Sequence, residues 1–188
     1  MFSRLFGARR NENAEIVGKL YDSVVAAARQ PVLYAEWNVP DTPLGRYEMM
    51  ALHMFLFLHR TRGATDSLAE LAQELTEEFF KDVDHSLREL GIGDVGVPKR
   101  MKKLARMFYG RAESYGNALD AGDRDALIQA LTRNILPGGE PWPQAGQMAD
   151  YVVASAAALQ AQPDDRFIAG EVVYLPANSI TTQEGSAA

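Results

Sequence analysis

The sequence contains no cysteine, which excludes disulfides, thiolate metal sites and cysteine nucleophiles. Histidine is almost as scarce, with His53, His59 and His85 the only three. His53 and His59 do not have the i, i+4 spacing of a helical metal pair, and Glu48 and His53 share a helix face poorly. This pattern assigns no catalytic residues, no metal ligands and no cofactor, and the expectation is a protein that is not an enzyme. Long apolar runs are missing too. The longest, Met49 to Leu58, carries His53 and is well short of the roughly 20 residues that span a bilayer. The opening MFSRLFGARR lacks the apolar core of a secretory signal, and acids from Glu12 onward argue against an organelle-targeting peptide. A cytoplasmic bacterial protein is expected, peripheral at most on the inner face of the plasma membrane. Strand signals are confined to Glu171 to Leu175, which alone cannot make a sheet.

What remains is a chain of 188 residues, 47% hydrophobic and 23% charged, the composition of one ordinary globular domain with a real core. A net charge of −6 argues against general nucleic-acid binding, and no specific DNA binding is expected. Apolar periodicity predicts an all-α single-domain bundle of about six to seven helices. The first runs from about Glu12 to Arg29, with Ile16, Leu20, Val24 and Ala27 on one face, and stops before Pro31. An extended link through Tyr34, Trp37 and Val39 is expected to cover the core edge. Thr42 and Pro43 then form a helix start, and apolar residues on nearly all sides from Met49 to Leu58 mark a central helix. Its histidine, His53, reads as a hydrogen-bonded core residue.

Ser67 to Glu70 reads as a capping box opening a helix with Leu68, Leu71, Leu75, Phe79 and Val83 inward, prolonged by Leu87 and Leu90. Gly91 to Gly96 matches G-x-G-x-x-G literally, but a helix precedes it where a dinucleotide site needs a strand, so a helix C-cap and reversing loop are expected. Asp120 or Asp123 can cap a helix over Asp125 to Asn134, and an alanine-rich helix over Gln144 to Gln160 follows. The domain is expected over 12–176, between a flexible basic segment at 1–11 and a disordered tail at 177–188. A turn or two of helix at 1–10, with Phe2, Leu5 and Phe6 among Arg4, Arg9 and Arg10, suits weak contact with an anionic membrane.

The stretch from Phe79 to Arg111 is the most informative. Met101, Leu104, Ala105, Phe108, Ala112 and Tyr115 form an apolar stripe on a helix whose first turns carry Lys99, Arg100, Lys102, Lys103 and Arg106. Cations at a helix N-terminus oppose the dipole by about 0.3–1 kcal/mol each at low salt. Either they serve a partner, or Asp82, Asp84, Glu89 and Asp94 neutralise them; both stay open on sequence alone. Candidate partner-binding residues are these five cations with Tyr109, Arg111, Asp82, Asp84 and Glu89.

An ordered set of segments carries a resemblance. These are Ala28-Arg29-Gln30-Pro31 with Tyr34; Val39-Pro40-Asp41-Thr42-Pro43-Leu44-Gly45-Arg46-Tyr47-Glu48 with Leu52-His53; Phe79-Phe80 with Asp84; Leu87-Arg88-Glu89-Leu90-Gly91 with Asp94; Val97-Pro98-Lys99-Arg100-Met101-Lys102; and Phe108-Tyr109-Gly110-Arg111. In this order, across roughly residues 12 to 134, they resemble the ubiquinol–cytochrome c chaperone family of respiratory complex III assembly factors. The resemblance implies a non-enzymatic chaperone of newly made cytochrome b, acting at the membrane. In mitochondrial relatives it also implies a small partner subunit and ribosome contact. Two other functions are weighed beside it. One is a ribosome- or RNA-surface protein acting through the basic helix at 97–111. The other is an enzyme or hydrophobic-ligand carrier with a pocket near Arg46, Glu48 and His53.

Overall fold

The computed structural model describes residues 2–91, 93 and 96–180, with side chains from Asn13 onward. Six long helices make the body: α1 (Phe2–Ala28), α3 (Pro43–Arg60), α4 (Asp66–Glu89), α5 (Val97–Ala121), α6 (Arg124–Ile135) and α7 (Ala145–Gln160). Two single turns, α2 (Pro31–Ala35) and α8 (Asp164–Ile168), and a 3-10 turn at Ala177–Ser179 complete it. No strand is found among the described residues. The all-α class and the helix number are as expected.

The central position of α3 follows from its composition. Met49, Leu52, His53, Met54, Phe55, Leu56 and Phe57 are all buried, and α1, α4, α5, α6 and α7 pack around them. Its start is fixed by Thr42, whose hydroxyl oxygen accepts from the Gly45 N–H at 3.1 Å, with Pro43 in the first turn. Gly45 is required here by close approach: a Cβ would overlap the Pro40 carbonyl oxygen. Leu68, Leu71, Leu75, Phe79 and Val83 bury one face of α4 as their spacing predicts. In α5, the Phe108 ring lies 5.3 Å from that of Phe79, which in turn stacks on Tyr47 of α3 at 6.1 Å. Gly122, in the left-handed region at φ 64, ends α5, and Asp123 caps α6 through the Ala126 N–H at 2.9 Å. Gly91 ends α4 in the same left-handed conformation, at φ 78.

Several boundaries differ from expectation. Helix α1 begins at Phe2 rather than near Glu12, so the segment at 1–11 is helical from residue 2. The link after Pro31 is a helical turn, because proline suits a first helical position as well as it stops a preceding helix. Helix α4 begins at Asp66, not Ser67; Thr65 is the extended residue before it, so Ser67 lies inside the first turn and no capping box forms around it. The folded chain also passes residue 176. Ala177 is fully buried, and its N–H donates to Gln30 Oε1 at 2.7 Å; residues 181–188 lie outside the described residues. The strand-like run becomes an extended strap. The Gln162 side chain both donates to the Val173 carbonyl (2.7 Å) and accepts from its N–H (3.0 Å), taking the place of a neighbouring strand.

Candidate functional site

The five cations stand in water. Lys99, Arg100, Lys102, Lys103 and Arg106 are all exposed on α5, and helical spacing gathers Lys99, Lys102, Lys103 and Arg106 into one arc of about 100°. The upstream acids are engaged elsewhere. Asp82 accepts from the Tyr21 hydroxyl at 2.7 Å, Asp84 pairs with Arg88 at 2.6 Å, and Glu89 pairs with His85 at 3.2 Å. Among the described residues none of the five cations makes an ion pair, and Asp94 lies outside them. Tyr109, 56% exposed, ends the same face with its ring against Phe108 and Phe80 at 5.3 and 6.3 Å.

Arg111 does not join that face. Its guanidinium turns inward and donates to Glu48 Oε1 at 2.6 Å, the two side chains being 11% and 2% exposed. Burial pushes the Glu48 carboxyl up to about 7, with Arg111 opposing the rise. Arg111 Nε is buried without a hydrogen-bond partner among the described residues. The signal was in the spacing. Arg111 stands three after Phe108 and seven after Leu104, on the apolar stripe, while Glu48 stands three before Ala51 and four before Leu52. Two opposite charges on two apolar faces imply each other.

His53 is the buried histidine expected. Because the Met49 carbonyl can only accept, His53 Nδ1 carries the proton and donates at 2.8 Å; Nε2 then accepts from the Tyr151 hydroxyl, also at 2.8 Å. Gln30 Nε2 donates to that hydroxyl at 3.3 Å. Burial holds the His53 imidazole down to about 4, so it is neutral at physiological pH. Arg46 is on the surface, paired with Asp41 at 2.6 Å. Arg46 also lines the groove described next, whereas Glu48 and His53 do not, so the three do not converge on one cavity and the ligand-pocket expectation built on them fails.

A groove of about 640 Å³ opens instead between the ends of α1 and α4, the start of α3, and α5. Tyr47, Met50, Phe79, Val83 and Leu104 line it, and Asp82 and Glu89 border it. Leu44 and Leu90, 46% and 60% exposed, also line it. No sequence pattern pointed to this groove, because it draws on five elements, α1 to α5, spread along the chain. Two of the acids singled out from the sequence, Asp82 and Glu89, nevertheless lie in its wall. Met49 and Met54 are core residues, whereas Met50 faces the groove.

The described residues thus present an all-α body with an open groove lined by apolar residues and by both carboxylates and guanidinium groups, beside a separate cationic face on α5. The model of the ubiquinol-cytochrome C chaperone family matches residues 35–174, and the chain belongs to that family. The crystal structure of the Cbp3 homolog from Brucella abortus superposes with a TM-score of 0.89 at 55% identity, covering 96% of this chain and 100% of that one. Ubiquinol-cytochrome c reductase complex assembly factor 1 of Drosophila melanogaster is 24% identical over 155 residues. That alignment covers 79% of this chain and 60% of the fly protein, so the chain spans well under two thirds of that relative's length.

Proposed function

We propose that this chain is a non-enzymatic assembly factor for ubiquinol–cytochrome c reductase, respiratory complex III, and that the groove holds newly made cytochrome b. Family membership and the fly relative's name support the complex. The observation that carries the client is the groove itself, which combines apolar residues with Asp82 and Glu89; of the two arginines that also line it, Arg29 and Arg46, the second is already paired with Asp41. Transmembrane helices are apolar and carry excess lysine and arginine at their cytoplasmic ends. Such an end would lay its apolar turn against Met50, Val83 and Leu104 while its cations met the two carboxylates. The client brings the protein to the membrane surface. No described helix of the chain is itself long and apolar enough to cross a membrane.

The test is recovery of cytochrome b with the tagged protein from detergent extracts of its own membranes, at low and high salt. Leu44 and Leu90 are exposed in the free protein, so Leu44→Asp with Leu90→Asp should leave the melting temperature nearly unchanged. The pair should lower recovery by about tenfold or more, as expected for charges placed in an apolar contact. Full recovery by the variant removes the groove as the site. Absence of cytochrome b from the parent pull-down removes it as the client.

A further inference from the structure

The groove leaves the cationic side of α5 unused. Lys99, Lys102, Lys103 and Arg106 project from one side of α5, while Leu104 of the same helix faces the groove. The face runs about 15 Å from Lys99 to Tyr109. In a chain of net charge −6, a stripe of cations without carboxylate partners among the described residues is a local field that favours an anionic partner.

We infer that the Lys99–Tyr109 face of α5 docks on an anionic phospholipid surface. The occupant follows from charge and shape. Phosphates supply the complementary charge, and the four cations stand on the outer side of a single helix, outside the groove described above; of this face only Tyr109 lines a second pocket, with Phe80, Lys81 and Asp84 of α4. Single-stranded nucleic acids are held in cationic grooves that track their backbone, whereas a plane of headgroups needs only one projecting face. Lysine stems reach phosphates while their methylenes stay against the surface. At the end of the stripe, Tyr109 presents an exposed ring with a polar tip, the side chain favoured at membrane–water interfaces. Asp84 lines a pocket with Tyr109, and Glu113 follows four residues later on α5, so carboxylates close off the tyrosine end of the cationic stripe. The inference does not depend on the client assignment.

The experiment is co-sedimentation of the full chain with phosphatidylcholine vesicles, with and without about one-third phosphatidylglycerol, at low and high salt. Binding is expected only with the anionic lipid and is expected to fall as salt shortens the screening length. A cation near such a surface contributes about 1 kcal/mol, a factor of about five. Each charge removed in a K99Q/K102Q/K103Q/R106Q variant should thus weaken binding by about fivefold. A charge-matched K19Q/R62Q/K81Q/R166Q variant should bind nearly as well as the parent. Equal binding to neutral vesicles, equal loss in both variants, or loss confined to an R4Q/R9Q/R10Q variant would overturn the proposal. So would salt-sensitive binding to ribosomal RNA without binding to anionic vesicles. Cytochrome b recovery from detergent by the K99Q/K102Q/K103Q/R106Q variant should persist, because none of the four lines the groove. The two proposals can therefore fail separately.

Discussion

Arg111→Met isolates the buried ion pair. Glu48, 2% exposed, has Arg111 as its sole hydrogen-bonded ion-pair partner among the described residues, and burial has already raised its carboxyl to about 7. At pH 6 that carboxyl is mostly protonated in the folded parent. Removing the guanidinium there forfeits one hydrogen bond but also relieves the unpartnered Arg111 Nε. The loss at pH 6 should therefore be modest, on the order of 1 kcal/mol. Above pH 7 the parent carries an ionised pair, and the variant must keep the acid protonated or bury a bare carboxylate. Its carboxyl pKa moves upward, and each pH unit above 7 then adds about 1.4 kcal/mol to the difference. By pH 9 the variant should be about 3–5 kcal/mol less stable, the usual result of breaking a buried pair. Tyr47 and Tyr115 beside the pair have phenols raised by burial, so they do not titrate in this range. Urea unfolding at pH 6, 8 and 9 reads the difference directly. Replacing both residues, Glu48→Leu with Arg111→Met, should restore stability to within about 1 kcal/mol of the parent or better, because no charge is left buried. A cost that is the same at pH 6 and pH 9 would refute this account.

Phe108 is 1% exposed and wedged among Phe79, Phe80 and Tyr109. Phe108→Ala should cost about 3–5 kcal/mol in denaturant unfolding, and a near-neutral result would mean the ring is not part of the core. For His53 the sign is the reverse of Glu48. Its folded pKa, about 4, lies below the ordinary value near 6.5. Its contribution is therefore complete above pH 6.5 and lost as pH falls toward 4, by about 3 kcal/mol in all. Glu48, raised to about 7, contributes fully below its ordinary value near 4.5 and loses that contribution as pH rises through 7. The two opposing terms should leave stability nearly flat between pH 5 and 6. An NMR titration of the His53 ring with a midpoint above 6 would contradict its buried, neutral state.

Periodicity made the body legible in advance, because α4 and α6 each bury a regular stripe and α3 is apolar nearly all round, patterns with few other uses. Boundaries were less legible where one residue type does two jobs. Pro31 ends α1 and starts α2, and α4 starts from an extended Thr65, two residues before the expected cap Ser67. The strap at 171–177 could not be read as such, because its partners are side chains of Gln162 and Gln30, remote in sequence and outside any backbone ladder. At the site, exposure of the α5 cations followed from their position opposite the apolar stripe. The inward turn of Arg111 also followed from that stripe, but an arginine next to other cations reads first as one of them. The groove was hidden for a different reason. Met50, Val83 and Leu104 each look like ordinary core residues until the ends of four helices fail to close over them.

The α5 helix joins these observations. Its stripe carries three successive demands: Leu104 faces the groove, Phe108 fills the core, and Arg111 neutralises Glu48. With that side occupied, the opposite side is free of packing constraint, and a helix shaped by stability alone would place acids in its first turn. Instead its first turn holds no acid, and four exposed cations lie within its first six residues, Val97 to Lys102, and the one after. Of the acids that could have offset them, Asp82, Asp84 and Glu89 are bound to Tyr21, Arg88 and His85, and Asp94 lies outside the described residues. Folding therefore explains the inner side of α5 residue by residue and leaves the outer side unexplained. A charge pattern that the folded chain does not use is where an external partner should be sought.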